Sequence, residues 1–240
     1  MAYQAALFDL DGTILDTAED LRAAVEHALA QTGHSRAFPI AEVKALFGSG
    51  AKTAFVRALR LEKGAPLPSL EAVGTPADDT PAEVVTEAER ALAVFREYYP
   101  AHCEIKTRPY PGVIELMEAL RARDVKIAVV SNKLDAAVQR LCEKYFPGLT
   151  DAALGEREPE VRRKPAPDMT AAALRRLGAA PDKAVYIGDS EIDLETAKNA
   201  GLPCIAVSWG FRDRAFLARH GAARIVSDAA ALRRCLLEDG

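Results

Sequence analysis

The sequence predicts an α/β fold, a parallel sheet covered by helices on both faces, with an all-helical domain inserted after the first strand. Three observations predict it. Short apolar runs alternate with helical periodicities from residue 109 to the end. One earlier apolar run, Ala5–Phe8, stands apart from that alternation. Between them, residues 17–106 carry helical pattern broken by one Pro/Gly-rich stretch, with no strand pattern. Buried parallel strands read as short continuous apolar runs, and crossover helices separate them.

Ala5–Phe8 (AALF) reads as a buried strand that runs into Asp9, Gly12 and Thr13. From Thr17 the period changes. Leu21, Ala24, Val25, Ala28 and Leu29 recur at helical spacing, with Thr17 as N-cap, Glu19 and Asp20 in the first turn and Gly33 at the end. Val43, Leu46 and Phe47 mark a second helix, and Ala54, Phe55, Ala58 and Leu59 a third. Residues 64–81 hold Gly64, Pro66, Pro68, Gly74, Pro76 and Pro81 with little apolar periodicity, which predicts a long surface loop. Residues 83–99 return to helix, with Val84, Ala88, Ala91, Leu92 and Phe95 on one face.

Beyond Pro109-Tyr110-Pro111-Gly112, helices are expected over 113–122, 135–144, 168–177, 193–200 and 211–220. Strands are expected at 126–130 (KIAVV), 152–154, 184–187 (AVYI), 204–207 (CIAV) and 224–226. The economical division is an α/β core of residues 1–16 and 107–240, with a helical domain of residues 17–106 inserted into it.

Composition narrows the function. Of 240 residues, 49% are hydrophobic and 28% charged, which supports a buried core and argues against disorder. A net charge of -4 disfavours nucleic acid, whose binders present a basic face. Cys103, Cys142, Cys204 and Cys235 lack C-x-x-C spacing and read as reduced thiols. His27, His34, His102 and His220 show no ligand spacing. No run approaches the roughly 20 apolar residues of a membrane span, and Met1-Ala2-Tyr3-Gln4 lacks the basic start of a signal peptide. The expectation is a cytoplasmic protein, monomer or homodimer, with no membrane partner.

Polar residues gather where strands end: Asp9 and Asp11 after the first, Ser131 and Asn132 after KIAVV, Asp189 after AVYI. Ligands of open parallel sheets bind outside the carboxyl ends of the strands. Continued extension would aim Asp9 and Asp11 to the same side, and Asp189 with Asp193 adds two carboxylates four residues apart. Such a hard-oxygen set suits magnesium, with calcium or manganese chemically possible. Lys164, Ser131 and Asn132 supply donors for a phosphate, and Gly12 lets backbone N–H groups approach an anion. Taken singly, Asp11-Gly12 is a turn, Asp189-Ser190 and Ser131-Asn132 are caps, and Lys164 is a solvated loop lysine. Their joint appearance in this order after successive strands outweighs those readings.

These residues also carry a resemblance. AALFDLDGTILDT resembles the first motif of the haloacid dehalogenase-like superfamily of hydrolases, VVSNK its second, KPAP its third and YIGDSEID its fourth. The resemblance implies a Rossmann-like core, a Mg2+ cofactor, an aspartate nucleophile and an α-helical cap formed by the insertion. It implies Asp9 as nucleophile and Asp11 as general acid and base, with Asp11 lending its backbone carbonyl to the metal. It implies Ser131, Asn132 and Lys164 around the phosphoryl group, Asp189 as metal ligand, and Asp193 acting behind the ligands or through a water. The charged segment 151–163 precedes KPAP, and Lys164 is selected as the phosphate ligand because Pro165 follows it.

Within the superfamily the chain is most similar to phosphoglycolate phosphatases, on Phe47-Gly48-Ser49-Gly50, Arg108-Pro109-Tyr110-Pro111-Gly112 and Ser131-Asn132-Lys133. The partner implied is a small phosphorylated metabolite. The alternative is a phosphatase or phosphomutase for a sugar phosphate, nucleotide or pyrophosphate. Lys52 or Arg57 in the insertion is expected to meet an anionic substrate tail.

Overall fold

The computed structural model describes residues 3–157 and 161–238. Part of the charged segment before Lys164 therefore lies outside the described residues, as do Met1 and Ala2. The chain opens with β1 (Ala5–Phe8) and a two-residue β2 (Leu15–Asp16), followed by α1 (Ala18–Gln31), α2 (Ile40–Leu46), α3 (Ala51–Glu62) and α4 (Ala82–His102). Then come β3 (Arg108–Pro109), α5 (Val113–Arg121), β4 (Lys126–Leu134), α6 (Asp135–Tyr145), β5 (Ala152–Glu156) and α7 (Asp168–Leu177). The last elements are β6 (Ala184–Gly188), α8 (Glu191–Asn199), β7 (Cys204–Val207), α9 (Arg214–Arg219), β8 (Ile225–Val226) and α10 (Ala229–Leu237). They make two compact units, Met1–Asp16 with Arg108–Gly240, and Thr17–Thr107.

In the first unit six strands pair in the order β5-β4-β1-β6-β7-β8, every pairing parallel. From β1 the sheet grows outward through β4 and β5 on one side, and the chain then returns to lay β6 on the other. That reversal makes the carboxyl end of β1 the topological switch point, where open α/β sheets form their ligand crevice. Alternate strand residues, Ala5, Leu7, Ala128, Val130, Ala184 and Tyr186, pack with Met169, Ala173 and Leu174 of α7 and Ala197 of α8. β1 is fully buried, as a central parallel strand covered on both faces must be.

Several boundaries differ from the sequence expectation, each for a local reason. β4 runs on through Ser131, Asn132 and Lys133, with a register irregularity between Val130 and Leu134. α8 starts at Glu191, not Asp193, because Ser190 and Asp193 form a reciprocal capping box that places Asp193 in the first turn. α9 starts at Arg214, not Phe211, because the Asp213 carboxylate accepts the Phe216 N–H. α10 was not anticipated; Asp228 caps it in the same way. The ribbon of β2 and β3 is too short to leave a periodicity.

The second unit is helical. Phe95 of α4 meets Phe55 of α3 edge-on at 5.4 Å and stacks on Tyr99 at 4.7 Å between ring centres. Residues 64–81 are not a free surface loop. They include a 3-10 turn over Leu67–Ala72, and Leu70 and Val73 are buried. Two apolar anchors are too few to show periodicity, and the rest is turn chemistry: the Asp78 carboxylate accepts the N–H groups of Gly74 and Thr80. Arg57 fastens this segment. It is 3% exposed and donates to the carbonyls of Leu70 (3.1 Å) and Leu46 (3.0 Å). Arg57 thus binds main chain, where a substrate tail was expected, and Lys52 pairs with Glu89 at 2.7 Å.

Candidate active site

Asp9 emerges from the buried end of β1 and is itself 7% exposed. After Leu10 the chain does not stay extended. The N–H groups of Ile14 and Leu15 both reach the Leu10 carbonyl, and Gly12 donates to Leu15, so residues 10–15 close a tight turn. This turn separates two carboxylates that extension would have aligned. Asp9 Oδ1 receives Lys164 Nζ at 2.7 Å, whereas Asp11 Oδ1 receives Lys133 Nζ at 2.7 Å.

Three carboxylates, Asp9, Asp189 and Asp193, each offer an oxygen within 4.8 Å of the others; among the described residues this is the cluster able to hold a metal ion. Four carboxylates were expected together, and the turn at Gly12 carries Asp11 to Lys133 instead. Asp189 sits just past β6; Thr13 Oγ1 donates to its Oδ1 at 3.2 Å and the Phe211 N–H to its Oδ2 at 2.5 Å. Asp193 is saturated. Its Oδ1 takes Lys164 Nζ at 2.8 Å, and its Oδ2 takes the Ser190 N–H and hydroxyl at 3.1 and 2.6 Å.

Lys164 is buried, and its three N–H bonds meet three partners, the third being Tyr186 Oη at 3.2 Å. Asn132 holds the lysine backbone from both sides: its Oδ1 accepts the Lys164 N–H at 2.7 Å and its Nδ2 donates to the Lys164 carbonyl at 3.0 Å. The Asn132 amide, expected at a phosphate, thus clamps the main chain of the phosphate-binding lysine candidate. Ser131 is buried at the same strand end, and its Oγ accepts the Lys133 N–H. Gly12 gives its own N–H to Leu15 and not to an anion. Its φ of +84° and the overlap a Cβ would make with Asp189 and Phe211 explain the glycine.

The charges are set by burial. Burial pushes the Asp9 carboxyl up to about 7; Lys164 opposes this, while Asp193 and Asp11 add to it. Burial, then Asp193 and Asp9, holds Asp189 well above the carboxylate range, with the Phe211 N–H opposing. For Lys164 burial alone would lower the ammonium, but Asp193 and Asp9 outweigh it and hold it above its ordinary value. Two like charges about 5 Å apart repel by roughly 3 kcal/mol at an effective dielectric near 20. Three carboxylates against one lysine leave an excess of negative charge that a hard dication would neutralise, and the all-oxygen donor set fits magnesium.

The sequence assigns no role in the chemistry to Lys133, Tyr186 or the loop Trp209-Gly210-Phe211. Trp209 Nε1 donates to the Thr13 carbonyl at 3.0 Å, and Gly210 lies so close to Asp189 and the Gly12 carbonyl that a Cβ would overlap both. The signal for Lys133 was its two-residue spacing from Ser131 along an extended strand. For Tyr186 it was a hydroxyl in an otherwise apolar buried strand, which requires a partner.

The family model described as haloacid dehalogenase-like hydrolase matches residues 6–207. A phosphoglycolate phosphatase of Mesorhizobium japonicum is 33% identical over 216 residues, 89% of this chain and 86% of that protein. One of Escherichia coli K12 is 33% identical over 214 residues, 85% and 81% of the two chains. A crystal structure from Lactobacillus delbrueckii subsp. bulgaricus is 51% identical, covers 99% of this chain and 100% of its own, and superposes with a TM-score of 0.96. The chain belongs to the haloacid dehalogenase-like hydrolases. Its enzymatic class is that of the phosphatases, the phosphoric monoester hydrolases.

Proposed function

We propose that this phosphatase hydrolyses a small phosphate monoester through an aspartyl-phosphate on Asp9, requires Mg2+, and takes 2-phosphoglycolate as substrate. The observation that carries the chemistry is the Asp9–Lys164 contact inside a three-carboxylate cluster at the end of β1. The substrate is supported by relatives named phosphoglycolate phosphatase. Residues 1–16 and 107–240 form the catalytic core, and residues 17–106 the cap. Among the described residues no helix is long and apolar enough to cross a membrane, in keeping with work in the cytoplasm.

Asp9 and Asp189 would hold the magnesium with the Asp11 carbonyl, while Asp193, already saturated, holds Lys164 and the Ser190 turn. When bound, the cation neutralises charge on the transferring group and keeps Asp9 ionised. A carboxylate oxygen of Asp9 attacks phosphorus as the bond to the leaving alcohol breaks, and Asp11 gives that alcohol its proton. In the second half Asp11 takes a proton from water as the water oxygen attacks phosphorus and the phosphorus–oxygen bond of the Asp9 acyl phosphate breaks, which frees the carboxylate. Splitting hydrolysis in this way replaces one hard step by two easier ones. Lys164 would exchange its longest contact, Tyr186 Oη at 3.2 Å, for a phosphoryl oxygen and Ser131 would donate beside it, with Asn132 and Gly12 keeping Lys164 and Asp189 in place.

The test is phosphate release from 2-phosphoglycolate by the wild type and Asp9→Asn, with magnesium and with EDTA. Asp9→Asn and EDTA are each expected to abolish turnover. Substantial turnover by Asp9→Asn removes aspartyl-phosphate chemistry.

A further inference from the structure

We infer that Lys133 is a positioning residue for Asp11, acting on proton delivery to the leaving group and not on the phosphoryl group. The inference rests on the reading of Asp11 as general acid and base. Lys133 stands on β4, two residues beyond Ser131, so the extended strand turns both side chains to one side. Its side chain is 4% exposed and its ammonium lies 2.7 Å from Asp11 Oδ1. Taking an ammonium out of water costs several kcal/mol unless a partner compensates it, so this is not a solvated surface charge.

The two buried lysines divide the two aspartates after β1. Lys164 serves Asp9 and Asp193. Lys133 serves Asp11. With Oδ1 held, the Asp11 carboxyl has a fixed plane, and among the described residues its Oδ2 accepts no hydrogen bond. Oδ2 is then the oxygen that hands its proton to the departing alkoxide and takes one back from the attacking water. A misplaced acid loses much of its effect, because proton transfer needs a heavy-atom approach near hydrogen-bond distance.

The leaving group discriminates this role from a structural one. An alkoxide needs its proton in the transition state; p-nitrophenolate, a stable anion, leaves without it. Removing general acid–base help typically costs 10²–10⁴-fold where the proton matters. For Lys133→Met the ratio of kcat/KM on 2-phosphoglycolate to kcat/KM on p-nitrophenyl phosphate, which reports the step in which the leaving group departs, should fall by about tenfold or more, and Lys133→Arg should restore most of it. Lys133→Gln repeats the test should the Met variant fold poorly. A thermal shift with magnesium and beryllium fluoride equal to that of the wild type shows that the phosphoryl site survives. Equal loss of kcat/KM on both substrates overturns the inference. Asp11→Asn is the control. If it lowers the ratio and Lys133→Met does not, the positioning role alone fails; if neither does, the acid–base reading of Asp11 fails as well.

Discussion

The indole Nε1 of Trp209 donates to the carbonyl oxygen of Thr13 at 3.0 Å, tying the loop after β7 to the turn that follows the proposed nucleophile. Thr13 in turn donates to Asp189. A neutral hydrogen bond contributes about 1 kcal/mol net, equivalent to about fivefold in a rate. Trp209→Phe keeps the ring and removes the donor. It should lower kcat/KM by about fivefold, a loss of about 1 kcal/mol in transition-state stabilisation. A variant with unchanged kcat/KM but a lower melting temperature would reduce this contact to a fold contact. Trp209 is the single tryptophan, so its emission should also respond when magnesium and beryllium fluoride bind.

The acidic cluster predicts opposite signs for two substitutions. Asp189 is buried beside Asp9 and Asp193, and without a cation their mutual repulsion works against folding. Asp189→Asn should therefore raise the melting temperature in EDTA, by roughly 2–5 °C for a chain of this size, while losing the stabilisation that magnesium gives the wild type. Lys164→Met removes the cation that Asp9 and Asp193 share and leaves buried charge uncompensated, a loss of about 3–5 kcal/mol. Calorimetry of both variants in EDTA tests the pair; destabilisation by Asp189→Asn would show that its bonds to Thr13 and Phe211 outweigh the repulsion.

The α/β architecture was legible because buried parallel strands leave contiguous apolar runs and their crossover helices leave a different period. The order of acidic and basic residues at strand ends carried the site in the same way. What stayed hidden depended on single contacts. The turn at Gly12 sends Asp11 to Lys133 and Asp9 to Lys164, and no periodicity records which lysine takes which aspartate. Asp193 read as a helix start, although its carboxylate closes a box on Ser190, because a three-residue capping spacing and a helix start look alike in sequence. Trp209 lies 196 positions from Thr13. A contact at that separation is fixed by sheet order, which the alternation of elements alone does not specify.

Asp151 predicts a pH effect outside the site. Its carboxylate accepts Arg121 Nη1 at 2.6 Å and the Ile127 N–H at 2.8 Å, fastening the approach to β5 against β4. Partial burial raises its pKa, but Arg121 and the Ile127 N–H outweigh that and hold the carboxyl below its usual range. A depressed folded pKa contributes stability that is present above the unfolded value of about 3.9 and lost as pH falls through the folded value. The stability difference between wild type and Asp151→Asn should be constant near neutrality and shrink below about pH 4. Urea midpoints between pH 3 and 7 measure it, and a gap that widens on acidification contradicts the assignment.

Arg57 supplies the last prediction, because its surroundings replace one expectation with another. Its guanidinium was a candidate for an anionic substrate tail. In the fold it donates to the carbonyls of Leu46 at the end of α2 and of Leu70 in the 3-10 turn, and Ser49 Oγ lies 3.4 Å away. These carbonyls belong to α2 and the 3-10 turn, two neighbouring segments that the arginine fork joins, and a planar guanidinium reaches several acceptors at once where an ammonium cannot. Removing a buried charged donor leaves those carbonyls unsatisfied, at about 1–3 kcal/mol. Arg57→Ala should therefore lower the melting temperature and open residues 64–81 to protease, and Arg57→Lys should restore little of either. Limited proteolysis followed by mass spectrometry locates the cleavage, and calorimetry gives the stability. A substrate-facing arginine predicts the reverse pattern: full stability in both variants, a raised KM for 2-phosphoglycolate in Arg57→Ala, and recovery of that KM in Arg57→Lys because the charge returns.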